Sequence, residues 1–241
     1  MKKYKNFLFD LDGTLYKASS WMLYKNAYFA DEADCAYKLY NVDKKKMYEL
    51  LDYIQDYVIP NVKKPNFSKQ QVVYTYLADQ LGLTFEQIAC IFEKSASENL
   101  NKIKDGYVIS LNKVVEACKY LKKKGYKILL ATNSYFTRKR VLERLSWIGV
   151  SSDMFEFVND WSQTDSVKPD VKFFDDLMQR FNMKKNETLM VGNDKKQDAG
   201  CLNAGIDFYL ITEEVENSEN NVKATYEGGE EEFYNFITKN F

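Results

Sequence analysis

The 241-residue chain is 45% hydrophobic and 29% charged, with 34 Lys and Arg against 35 Asp and Glu, a formal net charge of -1. That balance excludes a broad electrostatic claim on a nucleic-acid polymer or an anionic membrane surface, so the lysine runs at 44–46 and 122–124 read as solvated helix faces. With no histidine in the chain, Ser/His and Cys/His nucleophile pairs and His-based metal sites are excluded, and catalysis would run on carboxylates, lysines or a metal.

The elements follow in chain order. Met1-Lys2-Lys3 is basic like a signal peptide, but the apolar stretch Phe7 to Phe9 is too short for its core, and no later run is long enough to span a bilayer. A soluble cytoplasmic protein with four reduced cysteines (Cys35, Cys90, Cys118, Cys201) is therefore expected, since no CxxC spacing points to zinc or to a disulfide framework. The first strand runs up to Asp10. A helix over about 21–40 follows, then a second in "KKMYELLDYIQDYVI" with Met47, Leu50, Leu51, Ile54 and Val58 at helical spacing. Ser68 with Gln71 and Thr84 with Gln87 form capping boxes for two more helices, the first ending at Gly82.

From about residue 106 the pattern changes to helices alternating with short apolar strands. Ser110 is expected to cap a helix that Gly125 stops. Then come "KILLAT", a helix from Phe136 to Trp147, "FEFVN", a helix after Pro169, "TLMVG", a helix to Ala204 and "DFYLI". This is an α/β chain, a parallel sheet with helices on both faces. The first strand must join that sheet, which makes the helical bundle an insertion: core 1–17 and 105–241, inserted domain 18–104. The segment 213–221 reads as a surface loop.

Ligands bind outside the carboxyl ends of strands in such sheets. There the sequence places Asp10, Asp12, Gly13 and Thr14; Thr132, Asn133 and Ser134; Lys168 with Asp170; and Asn193, Asp194 and Asp198. Each alone has a structural explanation as a turn or cap residue. Together, several acids, a hydroxyl and a lysine on one sheet edge call for a hard cation such as Mg²⁺ beside a phosphate cradle.

"DLDGTLY", "LLATNS", "VKPD" and "VGNDKKQDAG", in that order, resemble the four motifs of the haloacid dehalogenase-like (HAD) hydrolase superfamily, and the helical insertion lies where that family places an alpha-helical C1 cap. The resemblance implies a HAD-like Rossmannoid core and a Mg²⁺-dependent phosphatase of a small phosphorylated metabolite, a nucleotide or sugar phosphate being the suggested class. It implies Asp10 as nucleophile, Asp12 as acid and base, Thr132 and Asn133 with Lys168 as phosphate-binding groups, and Lys168 as offset to the charge on Asp10. Asp10, Asp194 and the Asp12 carbonyl would ligate Mg²⁺, with Asp198 behind them. Many members read Gly-Asp where this chain reads Gly192-Asn193-Asp194, so Asn193 is the weaker candidate for the ligand position. Lys17, Trp21 and Tyr24 follow the catalytic turn closely enough to select substrate, and cap hinges are expected near Tyr16 to Ser19 and Lys104 to Gly106. A phosphotransferase or phosphomutase, or a catalytically idle binding protein on the same fold, are the alternatives. The expected partner is a small phosphorylated metabolite, and the chain is a monomer or a homodimer.

Overall fold

A computed structural model describes residues 4–18 and 21–241. Its sheet begins with β1 (Asn6–Phe9), where Phe7 and Phe9 point into one apolar cluster and Leu8 into another. Side chains alternate between strand faces, so a strand apolar on both must be covered on both. β2 (Tyr16–Ala18) then pairs antiparallel with β3 (Val108–Ser110), in register Tyr16 to Ser110. This two-stranded ribbon is the root of the helical insertion.

Six helices fill the insertion: α1 (Trp21–Tyr40), α2 (Lys44–Tyr53), the single turn α3 (Ile59–Asn61), α4 (Lys69–Leu81), α5 (Phe85–Lys94) and α6 (Glu98–Tyr107). Both capping boxes are present as read, and Gly82 ends α4 at φ 66°. The helix expected over 45–59 is interrupted by a π-helical turn at Ile54–Val58, where the Ile59 N–H donates to the Ile54 carbonyl. Pro60 has no N–H to offer the Asp56 carbonyl, so the ordinary ladder fails just where it slips to the wider spacing.

The core continues with α7 (Asn112–Lys123), β4 (Lys127–Leu130), α8 (Arg138–Trp147), β5 (Phe157–Val158), α9 (Val171–Arg180), β6 (Thr188–Gly192), α10 (Gly200–Asn203), β7 (Asp207–Ile211), β8 (Tyr226–Gly228) and α11 (Glu230–Asn240). The sheet order is β5-β4-β1-β6-β7-β8, and every pairing is parallel. α7 and α11 cover one face through Val114, Leu121, Phe233 and Ile237. α9 covers the other through Phe173, Phe174 and Leu177. Among the described residues the cysteines are free, and no helix is long and apolar enough to cross a membrane.

Two expectations are corrected. Ser110 is the last residue of β3 and caps nothing; α7 begins at Asn112, and Glu230 at the start of α11 accepts from the Lys113 N–H instead. Lys104 to Gly106 lies inside α6, so that side of the root is helical up to the ribbon, while Ser19 falls outside the described residues.

The insertion is fastened to the core on two sides. Arg140 of α8 reaches into it, with Nη2 3.0 Å from Glu32 Oε1 of α1 and 2.8 Å from Ser95 Oγ. Both members of the ion pair are fully buried. On the other side Trp161 lies between Tyr74 and Phe92, at 5.7 and 5.1 Å between ring centres, and the Gln70 N–H donates to its carbonyl at 2.8 Å.

Burial pushes the Glu32 carboxyl up to about 7, against the pull of Arg140. A carboxyl raised in the folded state favours folding below its unfolded value and loses that contribution as pH climbs through the folded one. Glu32→Gln is therefore expected to gain stability relative to the parent between pH 5 and pH 8, as read by thermal unfolding. Arg140→Met leaves the Glu32 carboxylate buried without its partner and is expected to cost about 3–5 kcal/mol near neutral pH; a loss below that of Glu32→Gln would contradict this assignment.

Candidate active site

The turns that follow β1, β4 and β6, and the loop entering α9, converge at the carboxyl edge of the sheet around a cleft of about 280 Å³. Lys168 stands at its floor, with Nζ 2.7 Å from Asp10 Oδ1 and 2.6 Å from Asp198 Oδ1. All three side chains are buried. Burial pulls the Lys168 ammonium down, but Asp10 and Asp198 hold it above the ordinary lysine range. Burial also raises Asp10, to about 8, with Lys168 opposing and the Asp198 and Asp12 charges adding to it. With both acids ionised, one ammonium faces two carboxylates and the buried triad is one positive charge short, which is why Asp10 holds its proton so readily when no further cation is near.

The surrounding backbone explains how these groups come so close. Gly13 takes φ 73°, and a Cβ there would fall 2.0 Å from Asn193 Nδ2, so the turn after β1 needs glycine both for its dihedral and for its neighbour. A Cβ on Gly192 would fall 2.2 Å from Asp198 Oδ2. Asp198 uses that oxygen to accept from the N–H groups of Asn193 and Asp194, at 3.0 and 3.1 Å. It therefore shapes the turn with one oxygen and holds Lys168 with the other.

Asn193 is a brace. Its Oδ1 accepts from Thr14 Oγ1 at 3.3 Å and its Nδ2 donates to the Glu214 carbonyl at 2.7 Å. Asp194 Oδ1 accepts from the N–H groups of Lys196 and Gln197 and from Asn217 Nδ2, at 2.7 to 2.9 Å. Asn133 ties the β4 turn to the loop entering α9: its Oδ1 accepts from the Lys168 N–H at 3.1 Å and its Nδ2 donates to Gln197 Oε1 at 2.7 Å. Thr132 lines the cleft and caps no helix, that task falling to Thr137 at the start of α8.

Asp12 is held at the edge of the cleft by two partners. The Tyr16 hydroxyl donates to Oδ1, and the Arg144 guanidinium of α8 pairs with Oδ2. Arg144 is fully buried and lies over the rings of Phe136 at 4.4 Å and Tyr24 at 5.3 Å.

Asp10, Asp12, Trp21, Thr132, Asn133, Lys168, Asn193, Asp194 and Asp198 all line one cleft. Lys17 and Tyr24 do not. Lys17 is consumed in the ribbon opposite Ile109, and Tyr24 is buried among Tyr28, Tyr107, Phe136 and Trp147. Sequence reasoning missed Gln55, Asp56, Tyr135, Phe136, Gln197 and Glu216, which also line the cleft. Pro60 was a signal for the first two, since it breaks the helix that carries them. Glu216 had none: the loop expected to be surface folds back, its Glu216 N–H donating to the Asn193 carbonyl at 3.1 Å.

The acidic side chains could hold a cation only as a sparse set, because among the described residues no group of three or more His, Cys, Asp or Glu is placed to enclose one. Asp194 commits Oδ1 to the hydrogen bonds given above, which leaves its Oδ2 for a metal, and Asp10 Oδ1 keeps a second lone pair beside its bond from Lys168, so that Asp10 Oδ2 stays free. Two carboxylate oxygens, a backbone carbonyl and waters are the kind of set that Mg²⁺ accepts.

A glyceraldehyde 3-phosphate phosphatase of Methanothermobacter thermautotrophicus is 28% identical over 100 residues, 41% of this chain and 43% of that one, so the match spans less than half of the relative. The 2-haloacid dehalogenase of Pseudomonas syringae shares the fold at TM-score 0.64 and 18% identity, over 98% of this chain and 99% of the other. A HAD phosphatase of Thermococcus onnurineus does so at TM-score 0.57 and 18% identity, over 97% of both. The haloacid dehalogenase-like hydrolase family model matches residues 7–211, nearly all of the sheet together with the inserted helices, and the chain belongs to that family.

Proposed function

We propose that this hydrolase is a Mg²⁺-dependent phosphatase of a small phosphate monoester, working through a phosphoryl group carried on Asp10. The observation that supports it best is the buried Asp10, Lys168 and Asp198 triad, one positive charge short, at the carboxyl edge of the sheet. A site built this way is prepared for an incoming phosphoryl group only when a further cation balances it. Asp10, Asp194 and the Asp12 carbonyl would hold that cation, which neutralises phosphoryl charge when bound. The Asn193 side chain is already spent on Thr14 and Glu214, so Asp194 is the better ligand of the two. Residues 18–104 serve as the cap in this reading.

Asp10 Oδ2 attacks phosphorus and the ester P–O bond breaks. Lys168, bonded to Oδ1 of the same carboxylate, keeps that side chain aimed and offsets the charge that gathers on the phosphoryl oxygens. Thr132 and the backbone at Asn133 hold those oxygens at the mouth of the β4 turn. Asp12 gives a proton to the leaving alcohol oxygen, then recovers one from the water that attacks phosphorus, which releases phosphate and restores the Asp10 carboxylate. Because both Asp12 oxygens are engaged by Tyr16 and Arg144, the side chain must release at least one of them to reach the leaving group.

The family also contains enzymes that act on carbon–halogen bonds. Asp12 favours the phosphatase reading, because protonation of an alkoxide leaving group is a task that halide displacement does not have. A phosphotransferase would use the same first half-reaction and differ only in the acceptor.

Hydrolysis of p-nitrophenyl phosphate is expected to require Mg²⁺ and to stop on addition of a chelator. Asp10→Asn is expected to remove turnover altogether; unchanged turnover in that variant would end this reading. Asp12→Asn is expected to lose about 10²- to 10⁴-fold in kcat, and to accumulate acid-stable label from a ³²P ester only if Asp10 is first phosphorylated. An Asp12→Asn enzyme with full kcat would remove Asp12 from proton transfer.

A further inference from the structure

The cleft has two ends of different chemistry. Lys168 occupies the floor, and among the described residues it is the one cation lining the cleft, already shared between two carboxylates. The mouth is formed by Trp21, Gln55 and Asp56 of the insertion, facing Tyr135 and Phe136 of the core.

Asp56 reaches the cleft because of the π-turn. Ile54 and Val58 of the same turn are buried in the insertion, which leaves Gln55 and Asp56 on its outer side. The Asp56 charge is only partly met. Lys25 Nζ lies 3.5 Å from Asp56 Oδ1, but the same ammonium is bound more tightly by Asp52, so one lysine serves two carboxylates. The Tyr135 hydroxyl is raised by burial, with Lys168 acting against that and Asp56 and Asp194 adding to it. Tyr135 therefore stands between the floor and the mouth, and Asp56 is close enough to be felt there.

The aromatic surface beside Asp56 has a matching character. Trp21 is 40% exposed, and its ring is backed by Tyr24 at 5.8 Å and by the edge of Phe136 at 5.7 Å. An aromatic face supported in this way, near an undercompensated carboxylate, attracts an alkylammonium and gives nothing to an anion. A carboxylate or a second phosphate on the leaving group would meet Asp56 and Glu216, with no free cation among the described lining residues to answer it.

Resting on the phosphatase reading above, we infer that the favoured substrate is a phosphate monoester whose leaving group carries a positive charge, an amino alcohol, seated at the cleft mouth by Asp56 and the Trp21 face. The phosphate goes to the floor beside Lys168 and the ammonium to the mouth. Neutral leaving groups find only Gln55 and the aromatic rings there.

Three esters with two-carbon leaving groups isolate the charge: phosphoethanolamine (+1), ethyl phosphate (neutral) and phosphoglycolate (-1). With the wild-type protein and saturating Mg²⁺, kcat/KM is expected to fall in that order, by about fivefold at each step, the size of one exposed ion pair. Asp56→Asn is expected to reduce the ratio of phosphoethanolamine to ethyl phosphate by about fivefold, and Asp56→Lys to raise phosphoglycolate above phosphoethanolamine. Turnover of all three esters without this ranking, or ratios that stay constant in the Asp56 variants, overturns the inference and leaves the phosphatase reading standing. If the variants do not fold, the wild-type ranking decides alone. No turnover of any ester overturns the phosphatase reading and takes the inference with it.

Discussion

Lys168 is the point on which the site depends. It bridges a carboxylate from the end of β1 and one from the turn after β6, through bonds of 2.7 and 2.6 Å in a buried setting. Burying three charges is costly unless each is paired and hydrogen-bonded, and the chain meets that cost from several directions. Asn133 fixes the Lys168 backbone N–H, Asp198 receives two further N–H bonds, and Gly13 and Gly192 let the turns close to distances that any side chain would block. None of these supports is adjacent in sequence to Lys168. The site is a property of the parallel sheet, which brings the ends of β1, β4 and β6 into register: Phe9 stands opposite both Leu130 and Val191, so the residues just beyond all three emerge together.

The same sheet edge limits what the inserted helices can do. They hang from a ribbon of two three-residue strands, a root too small to fix their orientation alone. Orientation comes instead from the Arg140 and Glu32 pair on one side and from Trp161 between Tyr74 and Phe92 on the other. α8 carries both arginines that matter: Arg140 anchors the insertion, and one turn later Arg144 takes the Asp12 carboxylate. Spacing of four places them on one face of the helix. A shift of α1 against α8 therefore acts on Asp12 through the Tyr24 ring under Arg144, which couples the position of the insertion to the residue proposed to move protons.

Much of this was legible in the sequence, and the parts that were not share a cause. The apolar runs, the two capping boxes and the residues ending each strand depend on local spacing, and the structure has them. Ser110 was misread because a serine before an apolar periodic run looks like a cap, whereas the true acceptor for Lys113 is Glu230, 117 residues away. β8 and α11 escaped notice since "YEG" is too short and too polar to signal a strand, and it forms only by pairing with β7. In the site, the carboxylates could be found from their motif, but their partners could not. Arg144 sits among helix residues with nothing to distinguish it, and Tyr24 was expected at the cleft because it is near in sequence, when its ring fills the space between α1 and α8.

The loop at 213–217 shows why exposure is a poor guide to function. Its composition is that of a solvated connection, yet the Glu214 carbonyl accepts from Asn193, the Glu214 carboxylate accepts from the Ala18 N–H, and Asn217 donates to Asp194. It thereby ties the turn after β6 to the ribbon that carries the insertion. The Glu216 carboxyl is raised to about 7 by burial and by the neighbouring Asp194 and Asp12 charges, so it holds a proton more readily than an ordinary carboxyl and adds its full negative charge to the cleft wall only above neutral pH. On the phosphatase reading and the inference drawn from it, a phosphate ester enters such a cleft only if its own charge is met at the floor and nothing anionic follows it, so the acidic lining would act on specificity from outside the phosphate site, by excluding leaving groups whose charge the cleft cannot balance.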